Sequence, residues 1–292
     1  MKTISLLLAV LISLLTLSGC TLKSHTTSMT ENKKGVKQVK RKINEIPVLE
    51  FYKDDGKKKP LLLVSHGFTG KKEAMNKDHK LEDLAEMGYY VVALDNRMHG
   101  ERPGTSFTVE AVKSLGKLDV YVIRKAIKET ADDIKVLIDT YSKEEIIDKD
   151  KIGMMGVSMG GFVTYRAMVI DDRIKVAVPF ISSPFWDDIP GDIPKEISLE
   201  QTEEQKKNLE IYANEYSPGN QLDKFYPRAI LGQVGDSDKH FKVRRVEDFY
   251  GKLKKEYEKD PDKLKLIVYP NVKHEVTEEM WENALEWLKK YL

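Results

Sequence analysis

Cysteine is almost absent from this chain, whose 292 residues include only Cys20. A single cysteine excludes a disulfide within the chain, a cysteine-rich metal site and a cysteine nucleophile in the body of the fold. The six histidines show neither an HExxH motif nor a paired spacing that would indicate a metal site. The sequence therefore gives no reason to expect a bound metal.

An excess of charge of one sign is also missing, because 48 Lys and Arg residues balance 47 Asp and Glu residues, for a net charge of +1. Nucleic-acid-binding proteins usually show a basic excess or a basic stripe, so nucleic acid is not an expected partner. Hydrophobic residues make up 41% of the chain. That content suits one large globular core and is too high for a disordered chain.

The N-terminus carries an apolar stretch at residues 4–17, which is shorter than the ~18–20 residues that a membrane-spanning helix needs. Lys2 precedes this stretch, and the small residues Ser18 and Gly19 follow it. A positive charge, a short apolar core and small residues before a cleavage point are typical of a secretory signal peptide. We predict a signal peptide over residues 1–19.

The four residues Leu17-Ser18-Gly19-Cys20 resemble the lipobox of bacterial lipoproteins. In that family the cysteine receives a lipid and becomes the new N-terminus, so the resemblance implies a lipid on Cys20. Such a lipid would hold the protein at the extracytoplasmic face of the cell membrane without a membrane span. The alternative is an ordinary signal peptide with a chance cysteine. Residues 20–45 are polar and predict a flexible tether between lipid and domain.

Strand-like and helical patterns alternate over residues 46–292. Short apolar runs, such as 61–64 and 89–94, are typical of strands buried on both faces of a parallel sheet. Amphipathic stretches such as 118–141 predict helices between them. We therefore predict one α/β domain at 46–292, with a mainly parallel sheet and helices on both faces.

One segment, residues 184–227, interrupts this alternation. It begins with several prolines and continues as a charged helical stretch at 199–216. Because the segment lies between two predicted core strands, we expect an insertion that covers one end of the sheet. We predict a small helical lid at 184–227 rather than a separate domain.

A G-x-S-x-G motif stands at Gly156-Val157-Ser158-Met159-Gly160, between a predicted strand and a predicted helix. Glycines two residues before and after the serine permit a sharp turn that exposes the hydroxyl at the carboxyl end of the sheet. The following helix directs its N-terminal amides toward the same point, where they suit a developing oxyanion. The alternative is a glycine-rich turn in which the serine only caps the helix.

This motif in its context resembles the α/β-hydrolase superfamily, and the resemblance covers about residues 46–292. The runs SHGFTG (65–70), DNRMHGER (95–102) and HEVT (274–277) resemble a bacterial esterase branch of that superfamily. The branch is related to dienelactone hydrolases and to the catalytic domain of prolyl oligopeptidases. Dienelactone hydrolases use a cysteine nucleophile where this chain has Ser158, so their reaction is not carried over whole.

The resemblance implies a Ser-Asp-His triad in which Ser158 is the nucleophile. The superfamily order is serine, acid, histidine, which favours His274 as the base because it follows the last predicted strand. In the resembling family the acid stands three residues after a strand-end glycine, and Gly235 puts Asp238 at that position. Asp236 is the alternative acid. If Asp238 is the acid, the Asp236 side chain is expected to stabilise the turn by accepting hydrogen bonds from main-chain amides.

The resemblance also implies an oxyanion hole formed by the backbone amides of Phe68 and Met159. Phe68, Met159, Phe185 and Trp186 are expected near the cleft. Phe185 and Trp186 are candidates for a substrate pocket that holds an apolar acyl or aryl group. The alternative is that these two aromatic residues only pack the insertion against the domain.

These residues together predict a lipid-anchored serine hydrolase that cleaves a small-molecule acyl ester through an acyl-enzyme on Ser158. The reaction needs no metal or organic cofactor. A peptidase or amidase, or a thioesterase, would use the same residues, because acyl substrates differ mainly in the pocket. A binding lipoprotein that has lost its chemistry is the rival of another class, and the presence of all three triad residues argues against it.

Overall fold

The computed structural model describes residues 24–104, 106–191 and 198–292. The predicted signal peptide at 1–19 and Cys20 lie outside the described residues. Among the residues that are described, no helix combines the length and the apolar character needed to cross a membrane.

A single sheet of nine strands organises the described part of the chain. The strands are β1 (Ser24–Glu31), β2 (Val36–Ile43), β3 (Ile46–Lys53), β4 (Lys59–Ser65), β5 (Tyr90–Leu94), β6 (Ile147–Val157), β7 (Ile174–Phe180), β8 (Ala229–Gly235) and β9 (Leu264–Tyr269). Their spatial order is β1-β2-β3-β5-β4-β6-β7-β8-β9. Six neighbouring strands run parallel to one another: β5, β4, β6, β7, β8 and β9. β1, β2 and β3 pair antiparallel at one edge of the sheet.

Helices cover both faces of the sheet, as the alternating pattern predicts. They are α1 (Lys72–His79), α2 (Leu81–Glu86), α3 (Val109–Leu115), α4 (Val120–Tyr141), α5 (Met159–Ile170), α6 (Glu203–Tyr216), α7 (Val243–Glu256) and α8 (Glu278–Tyr291). Residues of α4, α5 and α7 share one apolar cluster, whereas residues of α1, α2 and α8 belong to the cluster on the opposite face. Alternate residues of β4 enter the two clusters: Leu61 and Leu63 one, Leu62 and Val64 the other. The predicted fold class, a mainly parallel α/β sheet, is confirmed.

The N-terminal hairpin of β1 and β2 corrects the predicted tether. β2 pairs with β3 along its full length, from Val36 opposite Lys53 to Ile43 opposite Ile46, and Val36, Val39 and Ile43 are buried. The prediction of a flexible tether is therefore wrong over residues 24–45. Ile43 enters the cluster on one face of the sheet and Val36 the cluster on the other, so a few spaced apolar residues and backbone pairing anchor an otherwise polar strand.

The insertion between β7 and β8 packs beside α4. Leu209 and Ala213 of α6 are buried, and the ring of Tyr212 meets Tyr121 of α4 edge-on, with centroids 5.1 Å apart. α6 is thus fixed to the domain by an apolar face, although residues 192–197 of the insertion lie outside the described residues. The role of this segment as a lid stays a prediction.

Candidate active site

Ser158 occupies the single residue between β6 and α5. Its backbone has φ 52° and ψ −113°, a left-handed conformation that costs a non-glycine residue about 1–3 kcal/mol. The backbone amide of Ser158 donates to the Phe180 carbonyl at 3.0 Å, and its carbonyl accepts from Gly161 at 2.8 Å. The turn is therefore held from both sides, with the side chain at the carboxyl end of the parallel strands.

The glycines of the motif are required by close backbone contacts. A Cβ atom on Gly156 would lie 2.2 Å from the carbonyl oxygen of Gly160. A Cβ atom on Gly160 would lie 2.0 Å from the carbonyl oxygen of Ser65. Backbone atoms cannot move aside as a flexible side chain does, so any larger residue at either position would force α5 away from the sheet.

His274 lies in the loop after β9 and contacts Ser158, although 116 residues separate them in the chain. Its Nε2 is 2.7 Å from Ser158 Oγ, and its Nδ1 is 2.7 Å from Asp238 Oδ2. Since a carboxylate only accepts hydrogen bonds, Nδ1 carries the proton and Nε2 accepts from the serine hydroxyl. The structure thus brings together the three predicted catalytic residues.

Asp238 is the carboxylate that reaches the histidine. Its side chain is fully buried, and its Oδ1 accepts from the backbone amide of His240 at 2.8 Å. Burial alone would raise the pKa of Asp238, but hydrogen bonds from His240 and His274 outweigh burial and lower the pKa to about 2. Asp236, the alternative acid, is exposed and instead accepts from the Asn271 backbone amide at 2.8 Å.

The amides predicted to form an oxyanion hole flank the serine. Met159 opens α5, and Phe68 lies in the loop after β4. Within the described part of the chain, neither backbone amide donates to a protein acceptor, so both are available to a ligand. His99 supports this loop, because its Nε2 accepts from the Thr69 amide at 3.1 Å.

His66 precedes this loop and is buried at its base. The Asn96 amide donates to His66 Nε2 at 3.1 Å, so Nδ1 carries the proton and donates to the Gly67 carbonyl at 2.7 Å. Burial lowers the pKa of His66 to about 4, which keeps the imidazole neutral at physiological pH. The sequence pattern gave this histidine no role, whereas the structure makes it a support of the loop that carries Phe68.

An apolar cavity of about 620 Å³ opens beside Ser158 and His274. Its wall comes mainly from α3, α4, α5 and the loops at 67–69 and 274–276. Its hydrophobic residues include Val109, Val112, Leu118, Ile123, Ile127, Phe162 and Leu199. The predicted neighbours Phe68 and Met159 also line it. A cavity of this size and character suits the apolar part of a small substrate.

Phe185 and Trp186, the predicted pocket residues, do not line this cavity. Phe185 packs edge-on against Phe249 with ring centroids 6.2 Å apart. Trp186 is fully buried and stacks with Tyr212 of α6 at 6.2 Å. Their assignment to the pocket is wrong, because Phe185 packs against α7 and Trp186 packs against α6 within the insertion. A packing role is the alternative that the sequence left open.

One cluster among the described residues has the composition of a metal site. Asp238, His240 and His274 have ligand atoms within 4.8 Å of one another. The rings of His240 and His274 are stacked, however, with centroids 3.8 Å apart and planes 21° apart. Because imidazole lone pairs lie in the ring plane, nearly parallel rings do not direct their nitrogens at one ion. The arrangement fits a stacked support for His274 better than a metal centre.

Two residues near the site were not identified from the sequence. His240 was one of several histidines in loops, and its position over His274 depends on the turn at 235–240. Arg124 lies on α4 within an amphipathic pattern, yet it is buried and lines the cavity. A charged residue at a helical position that faces the core was the only available indication.

The chain is similar to known proteins in both sequence and structure. Residues 75–292 match the prolyl oligopeptidase family, peptidase S9. A Bacillus subtilis (strain 168) protein named "Putative esterase YitV" is 30% identical over 261 residues, which cover 86% of this chain and 97% of that protein. Among solved structures, acetyl xylan esterase from Paenibacillus sp. R4 has a TM-score of 0.68 at 17% identity, covering 93% of this chain and 90% of that one. TT1662 from Thermus thermophilus has a TM-score of 0.66 at 21% identity, covering 87% and 97%.

The sheet, its helices and the strand-to-helix turn at Ser158 define an α/β-hydrolase. The two structural similarities establish this fold alone, because both are below 25% identity. The sequence match extends over most of the chain. The chain belongs to the prolyl oligopeptidase family and is a hydrolase of that family.

Proposed function

We propose that this protein is a serine hydrolase that cleaves carboxylic esters through an acyl-enzyme on Ser158. The observation that carries the proposal is the continuous hydrogen-bonded path from Asp238 through His274 to Ser158, with two links of 2.7 Å. The path ends at the wall of the apolar cavity. A nucleophile, a base within hydrogen-bonding distance and an acid that orients the base are the arrangement that activates a serine.

In the proposed first step, Ser158 Oγ forms a bond to the ester carbonyl carbon while its proton passes to His274 Nε2. The carbonyl electron pair moves to the oxygen, which the amides of Phe68 and Met159 stabilise as an oxyanion. When the carbonyl re-forms, the alcohol leaves with the proton from Nε2. Water then repeats the sequence, releases the carboxylic acid and restores the Ser158 hydroxyl.

Asp238 contributes a negative charge that persists throughout this cycle. Since its pKa is lowered to about 2, the carboxylate stays ionised wherever His274 can act as a base. It holds the imidazole in the Nδ1-protonated tautomer and stabilises the imidazolium that forms when Nε2 takes the serine proton. The backbone amide of His240 fixes the orientation of this carboxylate.

Two considerations support an ester as the substrate. The Bacillus relative carries the name of an esterase, and the Paenibacillus structure is that of an acetyl xylan esterase. The family itself is named for a peptidase, which makes a serine peptidase or amidase the second candidate. Both reactions use the same residues, and only the preferred leaving group differs.

Steady-state kinetics on the purified chain tests the proposal. The panel contains p-nitrophenyl acetate, butyrate and octanoate together with a proline-containing peptide p-nitroanilide. We expect turnover of the esters, and loss of that turnover in Ser158→Ala with unchanged folding by circular dichroism. Hydrolysis of the anilide but not of the esters would favour the peptidase, and no turnover in either assay would favour a binding protein.

We further propose that Cys20 carries a lipid and holds the protein on a membrane surface, as the lipobox-like sequence indicates. β1 begins at Ser24, so four residues of chain span at most about 14 Å between Cys20 and the sheet. The domain would therefore lie close to the bilayer. Labelled palmitate should enter the wild-type protein in bacterial cells and should not enter Cys20→Ser; equal labelling of both would refute the anchor.

A further inference from the structure

Arg124 is the buried cation in the wall of the apolar cavity. Its side chain is 4% exposed, and it lies on α4 between Ile123 and Ile127, which line the same cavity. The other charged residues of the lining, Asp78, Lys113 and Glu275, are all exposed. A guanidinium inside an apolar wall is costly unless an acceptor or an opposite charge compensates it.

The hydrogen-bond partners of Arg124 within the protein are backbone carbonyls. Its Nε donates to the Trp186 carbonyl at 3.0 Å, and its Nη2 donates to the Asp188 carbonyl at 2.9 Å. Within the described residues, Nη1 has no acceptor and no carboxylate lies within ion-pair distance. The Asp188 carboxylate pairs with Arg245 at 2.9 Å, and the carboxylates of Asp188 and Asp187 act on Arg124 only from beyond ion-pair distance.

The guanidinium of Arg124 lies beside α5, the helix that begins directly after the nucleophile. It lies over the ring of Phe162, with its Cζ 4.5 Å from the ring centroid. Phe162 follows Ser158 by four residues on α5, a rise of about 6 Å along the helix. The guanidinium therefore lies beside the fourth residue of α5, and the nucleophile at the start of that helix lines the same cavity. Burial lowers the pKa of Arg124 to about 10, so it remains charged at neutral pH.

We propose that Arg124 binds a carboxylate of the substrate, so that the preferred ester carries a carboxylate separated from the scissile carbonyl by an apolar chain. This inference rests on the proposed ester hydrolysis at Ser158. The apolar wall takes the chain, and the guanidinium offers Nη1 to the carboxylate in largely apolar surroundings. Charge-assisted hydrogen bonds in such surroundings are stronger than those in water.

A matched series of esters tests the proposal. Monoethyl glutarate, adipate and suberate are compared with ethyl pentanoate, hexanoate and octanoate, and the acetate of ω-hydroxyhexanoic acid is compared with hexyl acetate. In the monoethyl esters of the diacids the carboxylate is on the acyl side. In the acetate of ω-hydroxyhexanoic acid it is on the alcohol side. We expect a higher kcat/KM for the acid than for its neutral partner on one of the two sides, with an optimum chain length.

The Arg124→Met variant should reduce this acid-to-neutral ratio about ten- to hundredfold, and Arg124→Lys should restore part of it. Because the ratio compares two substrates on one protein, it does not depend on the fraction that folds. Lys113→Met, which removes the exposed cation of the same cavity, is the control and should leave the ratio within about twofold.

Two results would overturn the inference: no preference for a carboxylate on either side, or a preference that Arg124→Met keeps, whether or not Lys113→Met removes it. Arg124 would then serve only to fix the segment at 186–188. A fluorophosphonate that reacts with Ser158 in the same samples separates this failure from failure of the proposed function. Labelling without a carboxylate preference refutes only the role of Arg124, and absence of labelling refutes the hydrolase.

Discussion

Acidification should destabilise this protein through His66, well before the catalytic carboxylate is protonated. In the folded state the Asn96 amide points at His66 Nε2 at 3.1 Å, and the side chain is 1% exposed. A proton on Nε2 would face that amide hydrogen and would place a charge in a buried site beside the ring of His99, whose centroid is 5.2 Å away. The folded protein therefore resists protonation that the unfolded chain accepts.

The size of this effect follows from the two pKa values of His66. The pKa is about 4 in the folded state and about 6.5 in an unfolded chain. Because the unfolded state binds more protons, stability falls as the pH decreases through this interval. The linkage relation gives a loss of about 2 kcal/mol at pH 5 and about 3 kcal/mol at pH 4, relative to pH 7.5.

His66→Gln isolates the contribution, because glutamine keeps a donor and an acceptor but does not titrate. Urea unfolding at pH 7.5, 5 and 4 should show that the wild type loses about 3 kcal/mol more than the variant between the first and last pH. An NMR titration of the His66 ring should give a midpoint near 4. A midpoint above 6, or equal losses in the two proteins, would refute the reasoning.

The remaining predictions concern the groups around His274. Asp238→Asn should lower kcat about 10³- to 10⁴-fold by disturbing the histidine tautomer. Asp236→Asn, which alters only an exposed turn, should keep kcat within about threefold of the wild-type value. Similar kinetics for both variants would contradict the assignment of Asp238 as the acid. His240→Ala should lower kcat/KM about three- to tenfold, because a stacked ring contributes about 0.5–1.5 kcal/mol. His240→Phe should restore most of the lost kcat/KM. Identical rates for the wild type and both variants would exclude a role for the stacked ring.

The parts of the site that depend on local sequence could be predicted. The turn at Ser158 needs glycines at fixed short distances, so a motif of five residues is enough to identify it. His274 and Asp238 follow two strands whose apolar runs are visible in the sequence, and parallel strands bring their carboxyl ends to one edge. Chain order then indicates which histidine meets the serine, whereas the choice of Asp238 over Asp236 came from the family resemblance.

The parts that depend on distant packing could not be predicted. Arg124 meets carbonyls more than sixty residues away, at Trp186 and Asp188, and no local pattern encodes that contact. Trp186 itself is an aromatic residue near the end of a core strand, which is equally compatible with a pocket and with packing. The hairpin of β1 and β2 depends on backbone pairing with β3, and its few apolar residues resemble those of a loop.

The tautomers of the buried histidines also needed the structure. His66 and His99 lie in two loops that follow β4 and β5, and each accepts an amide hydrogen from the loop of the other. This reciprocal support fixes the backbone that presents the Phe68 amide. Sequence alone identified the glycine-rich loop at 65–70 but not the groups that hold it in place.

Peptide mapping by mass spectrometry after reaction with a fluorophosphonate tests the central claim most directly. If Ser158 is the nucleophile that His274 activates, one adduct should form on the peptide that contains Ser158. Its rate should fall by at least about 10³-fold in His274→Gln, while that variant unfolds at the wild-type urea concentration. An adduct on another residue, or an unchanged labelling rate in folded His274→Gln, would contradict the account.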